Sequence, residues 1–264
     1  MQSSENGIVP RRAVRYRAFL ATCVVIILLL AGLSTQCGAS ALVVVARPLD
    51  MLAIKRAQAI GQWQTKEWLN TWLGVPILQY PGDLLTYQNI IFDVNPHFVI
   101  ETGTYHGGLT LFLASFLENM DGKGRVITLD VDLSLWDGTV RSAKIKDSIL
   151  RRITAVQGDT GKALIYDSVA KLVAGRTALV ILDSGHLESH VLAELNRFSN
   201  LVSVDSYIIV NDTQLDETGV VEFRAGPMGA VNKFLSSHPQ FQIDRSRDRF
   251  LMSATHSGFL KRIK

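Results

Sequence analysis

The folded part of this chain has no cysteine. Both cysteines among its 264 residues, Cys23 and Cys37, lie in or beside an N-terminal apolar segment, so disulfides and thiolate metal sites are excluded from all that follows. A basic stripe is missing too. The net charge is +3, and part of it belongs to Arg11, Arg12, Arg15 and Arg17, so nucleic acid is not an expected partner. There is no internal repeat and no low-complexity tract, which sets aside solenoids and linker-like chains. The G-x-G-x-x-G fingerprint of dinucleotide folds is also absent.

Charge is absent from one long stretch, residues 18–46. A bilayer span takes about 20 apolar residues, so 18–46 reads as a transmembrane signal anchor behind a basic tail at 1–17. A cleaved signal peptide is the other reading, because Ala39-Ser40-Ala41 has the A-x-A pattern of a cleavage site. Leu42-Val43-Val44-Val45 prolongs the apolar run past that site and favours the anchor. The chain is thus expected at a membrane as a single-pass protein, or secreted if the segment is cleaved. Arginines ahead of the segment, and Arg47, Lys55 and Arg56 behind it, leave the side of the membrane open. Residues 47–71 read as a juxtamembrane helical linker, with a helix over 54–73, and residues 72–264 as one domain.

Within the domain, Pro81-Gly82-Asp83 opens a helix that runs to Val94, with Asp83 as its cap and Pro96 as its stop. Short apolar runs then alternate with amphipathic ones. Strands are expected over 98–101, 125–129, 153–157, 179–182 and 207–210. Helices are expected over 109–117, 165–172, 187–198 and 228–235. The segments 241–243 and 250–253 read as a closing antiparallel pair. Continuous apolar strands alternating with helices predict an α/β fold, a doubly wound and mostly parallel sheet covered on both faces. Ligands of such sheets bind beyond the carboxyl ends of the strands. Those ends here carry Glu101, Asp130, Asp159, Asp183 and Asn211-Asp212.

One stretch says most about the ligand: Phe98-Val99-Ile100-Glu101-Thr102-Gly103-Thr104-Tyr105-His106-Gly107-Gly108. It reads as strand, tight loop and helix start. Glycines let a backbone approach a ligand, and a helix N-terminus offers unpaired N–H groups. The spacing is E-x-G-x-x-x-G-G. An acid just ahead of the glycines suits a ligand with a cationic amino group better than a pyrophosphate, and S-adenosylmethionine (SAM) is such a ligand.

Taken in order, E-T-G-T-x-x-G-G, V-I-T-L-D-V-D, Q-G-D-T, L-D-S-x-H-x-x-x-H-V-L-x-E-L and Y-I-I-V-x-D-T resemble the cephalosporin hydroxylase/rhamnosyl O-methyltransferase family. So does the lead-in Trp72-Leu73-Gly74-Val75-Pro76 with Asp83 and Tyr87-Gln88. The resemblance runs from about Trp72 to the C-terminus. It implies a Rossmann-like class I methyltransferase fold, SAM as cofactor, and an acceptor hydroxyl on a saccharide, a glycolipid or a related small molecule.

The resemblance also implies roles. Glu101, Thr102, Gly103, Thr104, Tyr105, Gly107 and Gly108 would hold the amino-acid part of SAM. Asp130 would accept from the ribose diol, with Asp132 one pleat further on, and Gly158-Asp159 would flank the adenine. Asp183, Asn211 and Asp212 would offer hard oxygen ligands to Mg²⁺. The family tends to carry Glu-Asp where this chain has Asn211-Asp212, which removes one negative charge. His186, beside Asp183, would take the proton from the attacking hydroxyl, and His190 lies one helical turn further on as a supporting partner. Two other readings stand beside this one. A membrane-anchored glycosyltransferase would use Asp130-Val131-Asp132 as a D-x-D motif, and a non-catalytic module would keep the fold for binding alone.

Overall fold

Strands written as unbroken apolar runs need cover on both faces. The computed structural model, which describes residues 70–120, 123–217 and 225–264, provides it. A short antiparallel hairpin comes first, β1 (Asn70–Trp72) and β2 (Val75–Ile77), followed by α1 (Pro81–Val94). Then β3 (Phe98–Thr102), α2 (Gly108–Asn119), β4 (Arg125–Asp130), α3 (Ser134–Ser142), α4 (Asp147–Leu150), β5 (Ile153–Gln157), α5 (Ala163–Val173), β6 (Ala178–Leu182), α6 (Glu188–Phe198) and β7 (Tyr207–Val210) alternate along the chain. Helix α7 (Pro227–Ser237) and the strands β8 (Phe241–Ile243) and β9 (Phe259–Arg262) close it. The sheet has seven strands in the order β5-β4-β3-β6-β7-β9-β8. Only β9 runs against the rest.

The period of two along each strand divides the core. Val99, Val126, Leu179, Ile181 and Ile209 pack with α1, α2, Trp136 and Ile149 on one face. Ile100, Ile127, Leu129, Val180, Leu182, Ile208 and Val210 pack with α5, α6 and α7 on the other. Each such fully buried side chain contributes about 2 kcal/mol. The register then sets the site. Thr102 lies opposite Leu129 and Leu182, and Leu182 opposite Val210. The residues that follow, Gly103, Asp130, Asp183 and Asn211, therefore stand in one row at the carboxyl edge.

Three local expectations change. The helix expected over 54–73 does not reach its end, because Asn70–Trp72 is strand β1. Trp72 packs edge-on against Phe112 and donates its indole N–H to Ser115. Asp83 is no helix cap. Tyr80 is the N-cap of α1 without side-chain help, and the buried Asp83 carboxylate accepts from the Ser253 hydroxyl and the Ala254 amide. That clamp also explains why 250–253 forms no strand: it is held to α1, with Phe250 lying over Gly82, and β8 pairs with β9 instead. The basic tail 1–17, the apolar segment 18–46 and the linker up to residue 69 lie outside the described residues. Among the described residues no helix is long and apolar enough to cross a membrane.

Candidate active site

A cavity of about 510 Å³ opens over the row of strand ends. The loop after β3 forms its floor. Gly103 has φ +88, and a Cβ there would stand 2.0 Å from the Asp183 carbonyl oxygen; only glycine lets the loop pass so close to the end of β6. Gly107 (φ +85) is the N-cap of α2, and the Trp136 ring occupies the space its side chain would need. Trp136 is thus a packing residue beneath the loop. Helix α2 starts without a side-chain cap, and Gly108 and Leu109 line the cavity, so its first amides are available to an anionic group.

Glu101 is wholly buried at the end of β3. Its Oε2 accepts from the Thr110 hydroxyl, while Oε1 has no partner. Burial pushes its pKa up to about 7, against the pull of the Thr110 and Thr128 hydroxyls. A carboxylate oxygen left unpaired beside a cavity suits a cationic guest. Asp130 spends much of its acceptor capacity on the chain: Oδ2 takes the Thr104 and Tyr105 amides at 2.9 and 3.0 Å, and Oδ1 the Asp132 amide at 3.2 Å. It therefore ties the glycine loop to β4 as well as lining the cavity.

The second half of the site joins β6 and β7. Asp183 Oδ2 accepts from Gln79 Nε2 at 2.8 Å. Burial first, and the nearby Asp212 charge second, hold the Asp183 carboxyl well above the ordinary range. Asp212, at φ +59, faces His186 Nδ1 with its Oδ2 at 3.4 Å. The histidine partner is therefore Asp212 across the edge, and not Asp183 on its own loop.

Asn211 differs from its expected role. Its Oδ1 accepts from the Tyr87 hydroxyl and from Thr255 Oγ1. Its Nδ2 makes no hydrogen bond, yet it stands by Asp183 and favours that group's charge. The amide thus turns its oxygen to Tyr87 and Thr255 and its nitrogen to Asp183. Among the described residues no three His, Cys, Asp or Glu side chains converge as a metal centre. What fits a hard cation is the pair Asp183 and Asp212, a donor set that would leave most of the ion's waters in place.

The other candidates separate as follows. Thr104, Tyr105, Gly158, His186 and His190 line the cavity. Thr102 is buried in the strand, its hydroxyl accepting from the Asp183 amide. Asp132 is committed to a turn, accepting from the amide and hydroxyl of Ser134, and Asp159 to another, accepting from the Gly161 amide; neither lines the cavity. Asp130 and Asp132 thus differ, the first lining the cavity and the second turned to Ser134. Gln79 and Thr255 were not expected from the sequence, while Tyr87 and Glu194 stood in the quoted motifs with no role assigned. Glu194 had a further readable signal, an acid four residues after His190 on a helix face shared with the buried Val191 and Leu195.

Strand order, the single reversed strand and the glycine loop together define a class I methyltransferase architecture. The solved structures "cmcI-D160 Mg-SAM" and "CmcI-N160 apo-structure" superpose with TM-scores of 0.57 and 0.56 at 19% identity, covering 74% of this chain and 77% and 76% of theirs. A curated rhamnosyl O-methyltransferase of Mycobacterium leprae (strain TN) is 27% identical over 205 residues, 76% of this chain and 84% of its own. One from Mycobacterium tuberculosis (strain ATCC 25618 / H37Rv) is 27% identical over 200 residues, 73% and 78% of the two chains. The family model for Rhamnosyl O-methyltransferase/CmcI matches residues 65–263. The chain belongs to that family, and is a SAM-dependent O-methyltransferase.

Proposed function

We propose that the enzyme methylates a hydroxyl of a saccharide, either free or carried on a lipid, with a rhamnosyl group as in its curated relatives as the first candidate. One observation carries this reading: the unpaired Glu101 carboxylate oxygen and the His186–Asp212 pair open onto a single cavity.

SAM, when bound, supplies a sulfonium methyl that an oxygen takes in line, leaving a neutral thioether. Glu101 Oε1 would hold the ammonium of its amino-acid end, and the first amides of α2 would hold the carboxylate. Asp130 turns its remaining acceptor capacity toward the ribose. Because His186 Nδ1 faces Asp212, Nε2 is left to take the proton of the acceptor hydroxyl, and Asp212 stabilises the imidazolium that forms. Asp183 and Asp212 would hold a Mg²⁺, which when bound supplies charge that makes the hydroxyl easier to deprotonate. Most of the acceleration comes from alignment of the reacting atoms. The apolar segment 18–46 is kept in this reading as the anchor that holds the domain at a membrane.

The test is methyl transfer by the full-length protein to a panel of rhamnosyl and other saccharide acceptors, with and without a chelator. His186→Ala should lower kcat by about 10²- to 10³-fold and leave the affinity for S-adenosylhomocysteine (SAH) unchanged. Methylation at full rate by that variant would remove His186 as the base. Absence of any methylated saccharide from a wild-type protein that binds SAH would overturn the acceptor class, and full activity in the chelator would remove the cation.

A further inference from the structure

The cavity extends to polar residues that the chemistry above leaves unused. Ser184, Gly185 and His190 line it on the β6 side, and Gly158 and Thr160 on the β5 side. His190 Nε2 lies 3.0 Å from Ser184 Oγ and 3.5 Å from Glu194 Oε1. Glu194, one turn along α6, is wholly buried. Its Oε1 also accepts from Ser184 Oγ at 2.8 Å, and its Oε2 has no partner. A carboxylate this deep is stable only beside a cation or as a neutral acid. The nearby guanidinium of Arg197 is turned to the Thr160 carbonyl at 3.0 Å, so among the described residues His190 is the cation that pairs with Glu194. Gly185 is packed close against the imidazole, with no room for a Cβ beside its Cδ2. The ring is therefore held on one edge by Ser184 and Glu194 and on its flank by Gly185, while it remains part of the cavity wall.

Position along the row identifies the guest. In the reading above, the amino-acid end of SAM sits over Glu101 and α2, and the ribose by Asp130. The nucleobase then falls at the β5 side, by Gly158 and Thr160, and α6 reaches that side: its Arg197 donates to the Thr160 carbonyl, and Asp159 acts on His190. Adenine offers ring nitrogens as acceptors, and an imidazolium whose Nε2 is committed to Ser184 and Glu194 has its Nδ1–H to donate. We propose that His190, held by Ser184 and paired with Glu194, is the hydrogen-bond donor that recognises the nucleobase of SAM. This rests on SAM binding in the cavity. His190 is a binding residue here, and Glu194 and Ser184 are its positioning residues.

The charged groups facing His190 are Glu194 on its own helix and Asp159 from the loop after β5, and both raise its pKa, Glu194 more strongly. Donation from the imidazolium is therefore complete at low pH and fades as pH rises through that raised value. Glu101, pushed up to about 7, has the opposite effect, because its ionisation favours the ligand's ammonium. The readout is thus the difference between variants and wild type in SAH affinity, measured by calorimetry on the full-length protein across about pH 6 to 9.

His190→Ala should weaken SAH binding about tenfold or more at the acid end and much less at the alkaline end. His190→Gln, which keeps a donor that does not titrate, should recover part of the affinity and remove this component of the pH dependence. Glu194→Gln should move the midpoint toward the ordinary histidine value. SAH binding by wild type together with the same affinity and pH profile in His190→Ala and His190→Gln would overturn the proposal. Failure of wild type to bind SAH would instead overturn the SAM reading beneath it.

Discussion

Around the glycine loop, partners are close at hand. Glu101 is met by Thr110 nine residues on, and the Thr104 and Tyr105 amides are met by Asp130 at the end of the adjacent strand. Around Asp183 the partners come from across the chain: Gln79 from the segment after β2, Asn211 and Asp212 from the end of β7, and behind Asn211 the hydroxyls of Tyr87 and Thr255. The first region is a stretch of backbone folded onto its neighbour. The second is a network that exists only once the hairpin, α1 and the C-terminal loop have docked. A local loop fails when one residue changes shape. A docked network fails when its anchors let go.

The sharpest way to break the first region is at Gly103. Gly103→Ala sets a methyl group 2.0 Å from the Asp183 carbonyl oxygen, at φ +88 where alanine is strained even in open space. We expect a loss of about 4 kcal/mol or more by denaturant unfolding, together with loss of SAH binding. A variant of wild-type stability would mean that the loop does not press against the end of β6. The same substitution at Gly138, inside α3 with open space around it, should instead stabilise by up to about 1 kcal/mol.

The next effect separates the two regions by pH. Burial lifts Glu101 in the loop, and Asp83 in the clamp on the C-terminal segment, to about 7. Between about pH 4 and 7 the unfolded chain has ionised these groups while the folded one keeps them protonated. Stability therefore falls as pH rises through that window, by about 3 kcal/mol from each of the two groups in the unliganded protein. SAH should remove the Glu101 share, because its ammonium gives the carboxylate a partner, and leave the Asp83 share. Asp83→Asn should do the reverse. Urea unfolding at several pH values, with and without SAH, checks both; identical curves in all four conditions would refute the assignment.

The contrast also explains what could be read in advance. Glu101, Gly103 and Asp130 were legible because a strand, a tight turn and a helix start leave a contiguous pattern. The register that aligns Thr102, Leu129 and Leu182 follows from parallel pairing of apolar runs of similar length. Gln79 and Thr255 left no pattern, and Tyr87 only a place in the lead-in, since nothing within one helix or strand says that a hydroxyl at residue 255 will meet an amide at residue 211. The same blindness placed a strand over 250–253, where apolar residues in fact cover Gly82 and hand Ser253 and Ala254 to Asp83. At Asn211 too the residue type was visible, and the two hydroxyls that its oxygen accepts from were not.

The smallest effect probes the boundary between local turn and site. Asp130 and Asp132 lie one pleat apart, and in sequence they form a D-x-D pair with equal claim to a ligand. Asp130 turns toward the cavity and holds two amides of the glycine loop. Asp132 holds only Ser134 at the start of α3. Asp132→Ala should therefore cost about 1 kcal/mol of stability, the ordinary loss of a turn or cap acceptor, and leave both SAH affinity and methyl transfer intact. Asp130→Ala should weaken SAH binding and also loosen the loop it ties, visible as faster amide exchange at Thr104 and Tyr105. If Asp132→Ala abolished activity while keeping the fold, the second acid would belong to the site after all, and the local reading of the first region would be too narrow.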